Sequence, residues 1–344
     1  MLWTVDSLTV VLAALGVVLG VEVVAMLMRR LGRPEPDPAV CKLLEKAVNE
    51  RELPVIAYDE DDDLEPTQHN GEARAAVPEL GGVIYEADAA TDEPTAQISA
   101  FTLRASAKTD QGVRRKRNED ALLVLRREGV YVVADGMGGH AGGAIASKLA
   151  VEAIADTFQA SRFSRESPLH TIPRRAAELV TAIANANEAV RRVAQSKGAL
   201  AEMGTTVVAT RFCPRKRRLY IGHVGDSRCY RFRAGKLELL TQDHTMASFG
   251  VKGPDGNMLS RAIGVRDRVE TDVMIVAPEP GDLYLLCSDG LTKMVPEDLI
   301  ADVLMRVEED RAVDELVRLA NTRGGLDNIT AVLVRVAEAK IAAA

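Results

Sequence analysis

Hydrophobic and polar positions change their period several times along this 344-residue chain. Residues 8–28 form an apolar run of 21 positions broken by one charge, Glu22. At ~1.5 Å per residue, a helix of that length spans a bilayer core of ~30 Å. Arg29, Arg30 and Arg33 follow it and no basic residue precedes it. This predicts a single-pass anchor over 1–33, with the bulk of the chain cytoplasmic. Gly16 and Gly20 form a GxxxG pair on that span, which gives a second copy a face for close approach and a dimer. Residues 34–100 carry seven prolines and an acidic run over 59–63, and read as a disordered linker. An echo runs through it: VIAYDEDDDLEPTQ at 55–68 and VIYEADAATDEPTAQ at 83–97.

From Phe101 the pattern becomes that of a compact domain ending at residue 344. Short apolar runs predict strands over 130–134, 205–211, 219–223, 228–232, 236–240, 283–287 and 329–336. Helical periodicity predicts helices over 142–157, 174–195, 297–307 and 312–321. Strands bunched around helices, without regular alternation, predict an α+β fold in layers.

Charge sharpens this division. The net charge of −7 hides 17 acidic and 4 basic residues in 35–100, a local charge of −13. Residues 101–344 carry 31 acidic and 36 basic residues, a local charge of +5. A mildly basic domain suits an anionic substrate, or is a solvated surface. The four cysteines, Cys41, Cys213, Cys229 and Cys287, contain no CxxC pair, so a disulfide framework is not expected and a reduced cytoplasmic setting fits.

The candidate chemistry lies in four aspartates from separated motifs: Asp120 in RNEDA, Asp135 in VVADGMGGHAGG, Asp289 in LLCSDGLT and Asp327 in GGLDNIT. Each stands at the end of an apolar run. Carboxylates gathered without a cysteine or histidine cluster suit hard divalent cations such as Mg²⁺ or Mn²⁺. Two such ions ~3.5–4 Å apart can activate a water and clamp a phosphate.

Seven motifs extend the pattern: TDQGVRRKRNEDA, VVADGMGGHAGG, MGTTVV, HVGDSRCYRF, LSRAIG, LLCSDGLT and GGLDNITAVLVRV. In this order, residues 103–338 resemble the metal-dependent serine/threonine protein phosphatases of the PPM, or type 2C, family in its bacterial branch. The resemblance implies a four-layer α-β-β-α sandwich of two antiparallel sheets flanked by helices. It implies hydrolysis of phosphoserine and phosphothreonine by a water activated between two metal ions, Mn²⁺ or Mg²⁺. Asp135 would bridge both ions, and the Gly136 carbonyl would approach one of them. Asp289 and Asp327 would complete one shell, and Asp120, with or without Glu119, would serve the other directly or through water. Arg115 matches the phosphate-binding arginine, although Arg114, Lys116 and Arg117 surround it. Asp226 matches the support of a third, weaker ion, or is a turn residue. His140 would donate a proton to the leaving oxygen, or cap the glycine-rich turn. His244 and His223 read as structural. Between His244 and Leu259 only residues 245–258 stand where the family has a longer flap.

The expected partners are phosphoprotein substrates and a cognate serine/threonine kinase, and no nucleic acid. The rivals are a non-catalytic phosphoprotein-binding module, an enzyme whose acidic linker repeat recruits partners to the membrane, and an enzyme acting on small phosphoesters.

Overall fold

A computed structural model describes residues 55–57, 76, 78–86, 89, 101–138, 141–160, 163, 169–196 and 198–339. The chain divides into residues 1–53 and residues 54–344. The anchor expected over 8–28, with Gly16 and Gly20, lies outside the described residues. Among those described, no helix is long and apolar enough to cross a membrane.

The strands are β1 (Val55–Ala57), β2 (Glu79–Tyr85), β3 (Phe101–Asp110), β4 (Asp120–Leu125), β5 (Val130–Met137), β6 (Gly204–Thr205), β7 (Val207–Cys213), β8 (Arg218–Val224), β9 (Arg228–Arg233), β10 (Lys236–Leu239), β11 (Glu270–Val276), β12 (Leu283–Cys287) and β13 (Ile329–Glu338). The helices are α1 (Gly142–Gln159), α2 (Arg174–Ser196), α3 (Asp289–Thr292), α4 (Glu297–Arg306) and α5 (Glu309–Thr322). One sheet runs β1-β4-β5-β7-β8-β11-β2, with β6 paired to the end of β5, and the other runs β10-β9-β12-β13-β3.

Strand alternation explains the layers. On β5, Val130, Val132 and Ala134 pack toward α1 and α2, while Tyr131 and Val133 point into the space between the sheets. On β13, Val332, Val334 and Val336 face that same space, while Ile329, Ala331 and Leu333 pack against α4 and α5. Tyr131, Phe212 and Tyr284 lock the sheets together with edge-to-face contacts at 5.8 and 5.5 Å. The result is the expected α-β-β-α order.

Two expectations need correction. The first sheet is not wholly antiparallel, because β2 joins β11 in parallel. Strand β2 also falls inside the stretch read as a disordered linker. Its Val83, Ile84 and Tyr85 favour a strand, and the prolines and acids around them masked that signal. Glu86 secures its end, accepting from Arg231 at 2.5 Å and from the Ala277 N–H at 3.0 Å. Within residues 245–258 the chain makes two short 3-10 turns, Met246–Phe249 and Pro254–Asn257, joined at the base by a bridge between Thr245 and Leu259.

Candidate metal centre

Antiparallel pairing places Asp120 on β4 directly opposite Asp135 on β5. The two glycine motifs then bring the remaining elements close. A Cβ on Gly136 would lie 2.1 Å from the Gly143 carbonyl oxygen and 2.4 Å from that of Glu119, so only glycine lets α1 dock there. A Cβ on Gly290 would lie 1.9 Å from the Asn328 carbonyl oxygen, which keeps Asp289 and Asp327 side by side. Thr206 holds Asp135 in place: its hydroxyl accepts from the Asp135 N–H at 3.0 Å, and its own N–H donates to the Asp135 carbonyl at 2.8 Å.

These segments surround an open pocket of about 390 Å³, whose lining includes Arg115, Glu119, Asp135, Gly136, Asp226, Asp289, Lys293 and Asp327. Seven of the nine residues expected from the sequence therefore stand in one place or at its wall. Asp120 is the eighth and lies beneath the pocket, 1% exposed, with Oδ2 accepting from the Ser288 and Thr330 hydroxyls at 2.7 Å each. The ninth residue, His140, lies outside the described residues.

Arg115 is the member of the basic run that lines the pocket; Arg114, Lys116 and Arg117 do not. Its guanidinium stands 2.8 and 3.0 Å from the two Asp327 carboxylate oxygens, and 3.9 Å from Glu119. The hydrogen bond and charge of Asp327 raise its pKa.

Sequence reasoning missed Lys293, which ion-pairs with Asp289 and lies 3.4 Å from Asp327. Its position four residues after Asp289 on a helical turn was the available signal. It also missed Asn328, whose Oδ1 accepts from the Glu119 N–H at 2.8 Å while its Nδ2 donates to the carbonyls of Gln111 and Arg117. That one amide fastens the arginine loop to the end of β13.

The electrostatics are those of crowded, like charges. Burial pushes Asp120 up to about 7, against the pull of its Thr330 and Ser288 hydrogen bonds. Burial, followed by the charges of Asp120 and Asp289, pushes Asp135 well above the usual carboxylate range. Asp226 rises to about 7, first through burial and then through Asp289 and Asp243. Asp289 is raised by burial, which outweighs Lys293. Oδ1 of Asp120 and Oδ1 of Asp289 are buried without a hydrogen-bond partner. Buried anionic oxygens left unpaired are costly unless a cation meets them. Among the described residues no three of these side chains already close on a common point. Arg115 and Lys293 meanwhile hold two of the carboxylates. An all-oxygen, acidic donor set with orphaned atoms fits hard divalent ions, which also keep several waters.

The comparisons with known proteins agree with this chemistry. The model of the family described as protein phosphatase 2C matches residues 109–323. The serine/threonine phosphatase stp of Listeria welshimeri is 35% identical over 247 residues, which are 67% of this chain and 95% of that protein. The serine/threonine protein phosphatase PstP of Mycobacterium tuberculosis is 33% identical over 249 residues, which are 69% of this chain and 46% of PstP. Among solved structures, PppA of Pseudomonas aeruginosa superposes with a TM-score of 0.61 at 38% identity, covering 70% of this chain and all of that one. The PstP catalytic domain in complex with two manganese ions superposes with a TM-score of 0.60 at 32% identity, covering 69% of this chain and all of that one. With a matched model over more than half its length and relatives of this similarity, the chain belongs to the protein phosphatase 2C family of serine/threonine protein phosphatases.

Proposed function

We propose that this phosphatase removes phosphate from phosphoserine and phosphothreonine in cytoplasmic proteins at a membrane surface, opposing a serine/threonine kinase. The observation that carries the reading is the pocket itself, lined by Glu119, Asp135, Asp226, Asp289 and Asp327 together with the cations Arg115 and Lys293. Asp135, the Gly136 carbonyl, Asp289 and Asp327 are the residues to hold two divalent ions, Mn²⁺ or Mg²⁺. Asp120 and Glu119 support them, and Asp226 serves a third, weaker ion. Bound there, the ions supply positive charge for the phosphoryl oxygens and acidify a water molecule.

The chain's own residues supply the rest. Arg115 turns its planar guanidinium from Asp327 to two phosphoryl oxygens, a contact that lysine does not reproduce. Lys293 keeps a second positive charge in the pocket lining, so a dianionic phosphate enters against the carboxylates. Thr206, Asn328 and the glycine contacts fix Asp135, Asp327 and Arg115 before substrate arrives, so positioning and electrostatics carry the rate. His140 is assigned the proton for the leaving serine or threonine oxygen.

The membrane assignment is supported by the apolar span 8–28 and the arginines after it. The test is phosphate release by the full chain from phosphothreonine, phosphoserine and phosphotyrosine peptides, with carbonate extraction of membranes from cells expressing it. Release from the first two peptides, and chain retained in the carbonate pellet, are expected. Release from phosphotyrosine alone contradicts the substrate reading, and release of the chain into the carbonate supernatant contradicts the anchor.

A further inference from the structure

Strand β2 lies before the first residue matched by the family, and it has no catalytic side chain. It nevertheless connects to the pocket through a short chain of hydrogen bonds. Asp272 on β11 is the hub. Its Oδ1 accepts from the Gly82 N–H of β2 at 2.9 Å and from Arg261 at 2.6 Å. Its Oδ2 lies 3.0 Å from Nε2 of His244. The Nδ1 of His244 accepts from the Gly225 N–H at 3.1 Å, which leaves Nε2 as the protonated nitrogen that donates to Asp272. The backbone of His244 closes the connection twice, donating to the Gly225 carbonyl at 2.8 Å and accepting from the Ser260 N–H at 2.9 Å.

Opposite β2, this chain of hydrogen bonds ends at two stretches that adjoin the pocket wall. Gly225 precedes Asp226, and the root of the 245–258 loop, at Thr245 and Leu259, starts one residue after His244. Asp226, Asn257 and Leu259 all line the pocket. Gly225 has φ of 111°, and a Cβ there would meet the Thr206 side chain at 2.6 Å, so the turn has little freedom to move alone. Asp272 is held in its charged form: burial opposes the charge, but hydrogen bonds from His244, Arg261 and Gly82 outweigh it and keep its carboxyl well below the usual range.

We infer that β2 is a working part of the active-site support: Gly81 and Gly82 seat the Asp272 carboxylate, and Asp272 through His244 positions the Asp226 turn and the 245–258 loop for phosphopeptide binding. Asp272 and His244 are positioning residues, and neither faces the reacting atoms. The N-terminal segment thereby enters the affinity for substrate. The activity arm of the inference rests on the phosphatase reading.

Two neighbouring glycines make the test sharp. A Cβ on Gly81 would fall 2.0 Å from Asp272 Oδ1, whereas a Cβ on Gly82 would sit at 3.7 Å, in ordinary contact. Full-length G81A, G82A and D272N are compared with wild type in two assays. The first is tryptic cleavage after the exposed Lys252 in the loop, followed by mass spectrometry, which needs no activity. The second is the KM and kcat for a phosphothreonine peptide in Mn²⁺. In G81A and D272N, cleavage at Lys252 is expected to quicken and KM to rise about tenfold, with kcat within about twofold of wild type. G82A is expected to match wild type in both. D272N keeps the test decisive if G81A does not fold. If G81A and D272N match G82A in cleavage and KM, the inference is overturned. If wild type itself releases no phosphate, the phosphatase reading fails, and the cleavage comparison alone decides the inference.

Discussion

Replacing Asp120 by Asn removes the most deeply buried charge of the cluster, and its effect on stability can be worked out. Asp120 is 1% exposed, and its pKa rises from 3.8 to about 7 on folding, chiefly through burial. At pH 8, keeping that carboxylate ionised in the folded chain costs about 4 kcal/mol. In the Asn variant the side-chain carbonyl still accepts from Ser288 and Thr330. The new amide N–H groups fall where Oδ1 has no partner, a loss of about 1–3 kcal/mol. The metal-free variant should therefore be about 1–3 kcal/mol more stable than wild type at pH 8. A carboxyl raised on folding weakens the protein fully above its folded pKa and not at all below its unfolded one. The advantage of D120N must accordingly shrink as pH falls from 7 toward 4. Saturating Mn²⁺ should reverse the order, because an ion at a hundred times its Kd adds about 2.7 kcal/mol to the chain that binds it. Urea unfolding of both proteins in chelator at pH 8 and pH 5, then in Mn²⁺ at pH 8, measures all three. A D120N protein no more stable than wild type at pH 8 in chelator, or a gap that ignores pH, refutes the reasoning.

Three further outcomes follow from the same geometry. Gly136→Ala drives a Cβ into two backbone carbonyls and should cost about 3 kcal/mol or more in thermal unfolding; a wild-type melting curve contradicts that. Glu178→Ala strands Arg211, which is 6% exposed, ion-paired to Glu178 and seated over the Phe158 ring at 4.8 Å; urea unfolding should show a loss of about 3–5 kcal/mol. Burial and the neighbouring His244 push His223 down to about 3, so its neutral form supports folding above pH 6.5 and that support drains away as pH falls toward 3. Wild type should lose about 2 kcal/mol relative to His223→Gln between pH 7 and pH 5, and a constant difference between the two contradicts the assignment.

The legible parts of this protein are those whose signal is local. Helices α1 and α2 and strands β5, β12 and β13 carry long apolar or amphipathic runs, and their observed bounds lie within a few residues of the expected ones. The aspartates were legible because each lies at one end of an apolar strand run, and Asp135 and Asp289 also precede a glycine, where a turn and a ligand share the same sequence. What stayed hidden is non-local. Strand β2 owes its place to a parallel register with β11, some 190 residues away, and prolines and acids surround it in sequence. Asn328 and Lys293 matter through partners that no spacing rule connects to them, apart from the fourth-residue step from Asp289 to Lys293. Asp120 was expected to serve a metal directly or through water, and it sits beneath the pocket lining, 1% exposed and held by the Ser288 and Thr330 hydroxyls. His244 read as structural, and its structure is what ties β2 to the pocket.

The decisive measurement for a two-metal phosphatase is titration of the full chain with Mn²⁺ while following phosphate release from a phosphothreonine peptide. No release in chelator, release that rises as two ions bind per chain, and loss of that release in Asp289→Asn are expected. Folded protein that stays silent at saturating Mn²⁺, or release that Asp289→Asn leaves intact, contradicts two-metal catalysis.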